Sequence, residues 1–228
     1  MKVNEVFQTI QGEGLYSGAV TTFVRFAGCS LRCEHCDTKY SWASEGVDIG
    51  VPVVLERITE VCSRPRHICI TGGEPFEQPR NEMFALIHAL LDWQGSRGLE
   101  SIVIETNGAQ DVTWVLNKPF RGVTHLSVDY KLPSSGKQDK MLADNFKYLG
   151  PRDVIKFICK GDEDVEYAKK VLLNIMNNAS CCPVVLFHSL GGTPESWLPR
   201  RVLGFAPELH KRFDMRFGVQ LHKLVEMK

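Results

Sequence analysis

The sequence predicts an α/β fold, a partial and open β/α barrel of about six parallel strands. Three observations predict it. β-rich runs recur at Thr22 to Ala27, His67 to Thr71, Ser101 to Thr106, His125 to Tyr130, Val154 to Cys159 and Val184 to His188. Most of the gaps hold a helical pattern, and repeated β-then-α units imply parallel pairing. Six strands are too few to close the eightfold barrel.

Taken in order, the first strand leads into Cys29-Ser-Leu-Arg-Cys33-Glu-His-Cys36. A helix over Val54 to Ser63 precedes the second strand, which ends in Thr71-Gly72-Gly73-Glu74-Pro75; paired glycines there let the backbone approach a ligand closely. A helix over Asn81 to Trp93 leads to the third strand and its Glu105-Thr106-Asn107-Gly108 end. The fourth strand runs into Lys131-Leu132-Pro133-Ser134-Ser135-Gly136. After the fifth, a helix over Glu163 to Asn177 opens on Asp162-Glu163-Asp164, acidic residues that suit the positive end of a helix dipole. In parallel α/β folds the loops at the strand C-termini build the ligand site, so these segments are expected to converge on one mouth.

A chain of 228 residues, 43% hydrophobic and without repeats or low-complexity linkers, fits one domain over 1–228. Lysine plus arginine balances aspartate plus glutamate at 27 each, so no basic surface for nucleic acid is implied and a small-molecule site is expected. No apolar run has the length of a membrane span, and Met-Lys-Val-Asn-Glu-Val lacks a secretory core; a cytoplasmic protein is expected. The eight cysteines then read as thiols in a reducing compartment. Cys62 and Cys69 sit in apolar patterns and read as inert, while Cys159 and the pair Cys181-Cys182 are candidates for an auxiliary metal ligand.

The C-x3-C-x2-C spacing is the richest signal. A [4Fe–4S] cube takes four thiolates, so three close cysteines leave one iron open to an outside ligand. The spacing also suits a zinc knuckle or a plain electron-transfer cluster, although structural zinc wants four ligands and His35 lies awkwardly between two of the cysteines. Other residues carry two readings each. Arg25 offers a bidentate fork to a carboxylate, or forms a structural ion pair. Gln11-Gly12-Glu13 supplies donors and acceptors to a ring edge, or is a polar turn. Thr38 by itself reads as a helix N-cap. Glu105 faces a pocket floor or solvent, and His188 is most simply a histidine at a strand end.

The cysteine motif together with Gly72-Gly73-Glu74-Pro75 resembles the radical S-adenosylmethionine superfamily. The resemblance implies a cluster on Cys29, Cys33 and Cys36, with S-adenosylmethionine on its open iron. Gly73 and Glu74 then hold the methionine end, and His35, Cys36 and Asp37 flank the cofactor. One electron from the cluster cleaves the sulfonium to a radical that abstracts hydrogen.

Phe7, Ile10-Gln11-Gly12-Glu13-Gly14, Gly18, Phe23-Val24-Arg25, Gly28-Cys29, Leu31-Arg32-Cys33, Cys36-Asp37-Thr38 and Tyr40 are together similar to the 7-carboxy-7-deazaguanine synthase family. This resemblance implies a carbon–nitrogen lyase that contracts 6-carboxy-5,6,7,8-tetrahydropterin with loss of ammonia, by hydrogen abstraction at C6, rearrangement and return of the hydrogen. It implies substrate contacts at Ile10, Gln11, Gly12, Glu13, Arg25, Thr71 and Glu105, and Mg2+ on Thr38. It places further S-adenosylmethionine contacts at Asp129-Tyr130-Lys131 and Phe187-His188-Ser189-Leu190. An external electron donor of flavodoxin or ferredoxin type, a homodimer and queuosine-type 7-deazapurine biosynthesis belong to the same implication. The residues act by positioning, with no catalytic group beyond the cofactors.

The chain departs from the family at three places: Asp129-Tyr130-Lys131 stands for Ser-Pro-Lys, Phe187-His188 for Gln-Pro, and Phe76-Glu77 is more polar than usual. Gln220-Leu221-His222-Lys223 is similar to the family's last strand. Two other classes share parts of this pattern, an enzyme that activates glycyl radicals on a partner protein and a non-catalytic iron–sulfur or zinc module.

Overall fold

Parallel pairing and openness both appear in the computed structural model, which describes residues 1–43, 45–116, 120, 122–179, 181–191 and 197–227. The strands are β1 (Lys2–Ile10), β2 (Val20–Phe26), β3 (Val47–Asp48), β4 (His67–Gly72), β5 (Ser101–Thr106), β6 (Thr124–Asp129), β7 (Val154–Cys159), β8 (Val184–Ser189) and β9 (Asp214–Phe217). They form one open sheet in the order β3-β1-β2-β4-β5-β6-β7-β8-β9. From β2 through β9 every neighbouring pair is parallel, while β1 is antiparallel to both β2 and β3.

The six expected strands are β2 and β4 to β8. Three were not expected. In β1 a register shift between Val3 and Glu5 breaks the alternation of apolar and polar residues. The two residues of β3 and the charged Asp-Met-Arg-Phe of β9 are short edge strands with no apolar run to announce them.

The long helices are α1 (Val51–Val61), α2 (Arg80–Leu91) and, fifth in the chain, α5 (Asp162–Asn178); α3 (Trp93–Arg97), α4 (Ala143–Lys147), α6 (Trp197–Leu203), α7 (Ala206–Leu209) and α8 (Leu221–Leu224) are short. The acidic start of α5 is as expected. Its Asp164 accepts the Ser134 and Lys160 backbone N–H groups at 3.0 and 2.8 Å, tying the loop after β6 to the helix entrance. The ending Gln220 to Lys223 is a helical turn, not the expected strand, because Val225 N–H bonds back to the Leu221 carbonyl at 3.1 Å.

Period-two alternation along the strands separates core from site. Ile70, Ile104, Val128, Ile155 and Phe187 are fully buried in one hydrophobic cluster with Val54 and Ile58 of α1, Leu86 and Leu90 of α2, and Val165 and Leu172 of α5. Each such side chain stabilises the fold by about 1.5–3 kcal/mol. The residue that follows each strand position in sequence is polar: Thr71, Glu105, Asp129, Lys156 and His188. That opposite face lines the cavity.

Candidate active site

The cavity has a volume of about 490 Å³ and opens at the C-terminal ends of the parallel strands, the usual site position in such sheets. Its rim is the cysteine loop. Gly73 N–H donates to the Phe26 carbonyl at 2.9 Å and Glu74 N–H to the Gly28 carbonyl at 2.8 Å. A Cβ at Gly72, where φ is +129°, would meet the Phe26 backbone at 2.3 Å, and one at Gly73 would meet the Gly28 oxygen at 2.0 Å. Only paired glycines allow this approach. Glu77, unusual by the family pattern, has a place here: it accepts Ser30 N–H at 2.9 Å and Ser30 O–H at 2.6 Å, pinning the cysteine loop.

Cys29, Cys33 and Cys36 all line the cavity and none is in a disulfide. Burial pushes the Cys29 and Cys33 thiols up. Asn107 Nδ2 lies 3.6 Å from Cys29 Sγ. Among the described residues no group of three or more His, Cys, Asp or Glu side chains is gathered to hold a single metal ion. Three thiols facing open space fit a larger, sulfur-rich group that leaves one position free. Cys159 is fully buried in β7 and does not line the cavity, nor do Cys181 and Cys182.

Along another stretch of wall, Arg25 lines the cavity and its Nε donates to Glu5 at 2.9 Å. Gln11 Nε2 donates to Glu105 Oε1 at 3.3 Å and Thr71 Oγ1 to Glu105 Oε2 at 2.8 Å, with burial raising the Glu105 pKa. Ile10, Gly12 and Glu13 complete this wall. Leu221 N–H bonds the Gly12 carbonyl at 3.0 Å, seating α8 against the same loop.

A buried chain of charges crosses the floor. Lys156 Nζ lies 2.7 Å from Glu13 Oε2 and 3.0 Å from Asp129 Oδ1, and Lys131 Nζ lies 2.7 Å from Asp129 Oδ2. Burial opposes ionisation of Glu13, but the Lys156 ammonium outweighs it and holds the pKa at about 2. Asp129 is likewise lowered by Lys131 and Lys156 against burial. Gln220 Nε2 bonds Glu13 Oε1 at 2.6 Å and Asp37 Oδ2 at 3.2 Å. Lys156 and Gln220 were not expected as site residues, although a lysine inside the apolar run Val154-Ile-Lys-Phe-Ile-Cys was the visible signal.

His35, Asp37, Thr38, Gly73, Lys131, His188, Ser189 and Leu190 line the same cavity, so the structure brings together most of the expected residues. Thr38 is the N-cap of the 3-10 turn Lys39–Trp42, but its hydroxyl makes no capping bond; Oγ1 lies 3.4 Å from Asp37 Oδ1 and 3.7 Å from Cys36 Sγ. Three residues fall elsewhere. The Glu74 carboxylate is fully buried outside the cavity lining and accepts from Thr106 Oγ1, Asn107 N and Phe76 N at 2.8, 2.7 and 3.0 Å. Burial raises its pKa to about 7, so it favours the fold below about pH 4.5 and less as the pH rises through 7. Phe187 is on the core side of β8, stacked on Phe157 with ring centroids 5.4 Å apart. Tyr130 packs on Phe146, centroids 4.8 Å apart, beside a separate small cavity shared with Lys131 and Leu190.

Residues 23–128 match the model of the radical SAM superfamily. Among curated relatives, 7-carboxy-7-deazaguanine synthase of Hyperthermus butylicus is 44% identical over all of this chain and 93% of its own length. The enzyme of the same name from Clostridium acetobutylicum is 32% identical over 98% of this chain and 95% of its own, and that of Thermoplasma acidophilum 34% over 99% and 97%. The crystal structure of QueE from Escherichia coli shares the fold, with a TM-score of 0.68 at 23% identity over 94% of this chain and 92% of that one. With its cysteine loop, its glycine pair and this full-length similarity, the chain belongs to the 7-carboxy-7-deazaguanine synthase family of radical S-adenosylmethionine enzymes.

Proposed function

We propose that the chain converts 6-carboxy-5,6,7,8-tetrahydropterin to 7-carboxy-7-deazaguanine with loss of ammonia. The observation that carries this reading is the meeting of Arg25, the Gln11 to Glu13 wall and three cysteines around one cavity. The relatives' shared name favours it over a glycyl-radical activating enzyme. The chain acts as a single domain over 1–228, cytoplasmic and homodimeric, with an external flavodoxin- or ferredoxin-type donor. No helix among the described residues is long and apolar enough to cross a membrane.

Cys29, Cys33 and Cys36 would hold the cluster. Gly73 backbone would meet the methionine end, with His35, Asp37, Lys131, Ser189 and Leu190 around the rest of S-adenosylmethionine. Bound together, these two groups supply hydrogen abstraction by a radical route. The protein's own part is placement. Arg25 pairs with the substrate carboxylate, Gln11 and Glu13 meet the ring edge, and Glu105, held by Thr71 and Gln11, closes the floor. Helix α8 excludes water by packing on Gly12.

Arg25→Ala is expected to leave the iron content unchanged and to raise KM for the carboxylated pterin at least tenfold, because a charge-assisted bond contributes about 1.5–3 kcal/mol. Unaltered saturation behaviour would remove the carboxylate role.

Thr38 and Asp37 form an oxygen donor pair that fits Mg2+, a hard cation needing few protein ligands. Thr38→Ala should lose the dependence of turnover on added magnesium. A magnesium titration that matches the parent protein's would exclude this ligand.

A further inference from the structure

We propose that Glu5 is a positioning residue for the substrate carboxylate: with Tyr40 and Phe7 it fixes the Arg25 guanidinium so that only the terminal Nη edge is offered to the cavity. This rests on the proposed role of Arg25. Glu5 and Arg25 are direct partners across the antiparallel β1–β2 ladder, and the register shift after Val3 puts them opposite each other. A bulge of this kind re-aims a side chain. Glu5 Oε1 accepts from Arg25 Nε at 2.9 Å and from the Tyr40 hydroxyl at 2.9 Å, so one oxygen ties both. The guanidinium carbon lies 5.5 Å from the centre of the Phe7 ring and 5.8 Å from that of Tyr40, and Phe7 is itself stacked on Phe23 at 5.2 Å.

The Nε edge is therefore taken and two aromatic rings flank the group, while among the described residues neither Nη nitrogen has a hydrogen-bond partner. Arg25 lines the cavity; Glu5 and Tyr40 do not. A fork held this way meets a carboxylate edge-on through two parallel bonds. The negative charge of Glu5 opposes an anionic ligand, so its benefit lies in geometry. That separates two variants. Glu5→Gln keeps the acceptor oxygen and removes the charge; Glu5→Ala removes both.

The test is equilibrium binding of 6-carboxypterin and of unsubstituted pterin, read by ligand fluorescence on cluster-loaded protein without reductant, together with KM and kcat for the tetrahydropterin substrate. Glu5→Ala should bind 6-carboxypterin about tenfold or more weakly, bind pterin as before, and raise KM with little change in kcat. Glu5→Gln should bind 6-carboxypterin as tightly as the parent or more so. Tyr40→Phe, which removes only the hydroxyl bond to Glu5, should repeat the Glu5→Ala pattern at smaller size, and it decides the matter if Glu5→Ala does not fold. Positioning by Glu5 is overturned if Glu5→Ala binds 6-carboxypterin normally, if it loses both ligands equally, or if Glu5→Gln is as weak as Glu5→Ala. An Arg25→Ala protein that still binds 6-carboxypterin normally would instead overturn the carboxylate reading beneath it.

Discussion

Cys33→Ala is expected to abolish iron loading and all turnover while leaving the fold intact. Cys33 sits on the half-buried loop after β2 and packs in no core layer, so its loss removes a ligand without opening a hydrophobic cavity. A [4Fe–4S] cube needs its thiolates, and none of Cys159, Cys181 or Cys182 lines the cavity to replace one. Anaerobic reconstitution followed by iron and sulfide analysis should give about four irons per parent chain and background in the variant. Cys159→Ala, altering a buried thiol of β7, should load like the parent. A Cys33→Ala protein with full iron content would show that the cluster lies elsewhere.

Lys156→Met is expected to destabilise the protein by about 3–5 kcal/mol, the penalty for removing one partner of a buried charge pair. Its ammonium serves Glu13 and Asp129, whose side chains are only 13% and 19% exposed, and their carboxylates in turn raise the Lys156 pKa well above normal despite burial. For a chain of this size that loss lowers Tm by roughly 6 to 20 °C. The pH dependence should change as well. In the parent, Glu13 has a folded pKa of about 2 against 4.5 unfolded. Its contribution is complete above about pH 4.5 and is lost as the pH falls through 2. Without Lys156 burial dominates and the Glu13 pKa rises, so acidification across that window should no longer weaken the fold through this group. Thermal melts of parent and variant at about pH 2.5 and pH 7, either side of that window, measure both effects. A variant within 1 °C or so of the parent at pH 7 would mean that the three charges are solvated, not coupled.

The parts of this molecule legible in the sequence share a physical cause. Strands β4, β5, β7 and β8 are rich in Ile, Val and Phe, as buried parallel strands are, and the loop at the end of β4 carries glycine where backbones touch, at Gly72 and Gly73. The cysteine trio is legible because its ligands are close in sequence. Glu13, Lys156, Asp129 and Gln220 are not, since they lie up to 207 residues apart and meet only through the sheet. Glu74 shows the opposite failure. Its motif was read as facing the ligand, yet its neighbours Thr106 and Asn107 come from β5 and the residue after it, and they take the carboxylate. Phe187 could have been assigned by parity, because Val185 and Phe187 share the buried face of β8 and His188 takes the other.

Contraction of a carboxylated pterin ring in this cavity has a direct chemical readout. It is tested most directly by incubating anaerobically reconstituted protein with S-adenosylmethionine, magnesium, a reductant and 6-carboxy-5,6,7,8-tetrahydropterin, and analysing the products by mass spectrometry. The expected products are 7-carboxy-7-deazaguanine and an equivalent of ammonia. Cluster-loaded protein that cleaves S-adenosylmethionine but leaves the pterin unchanged would contradict it.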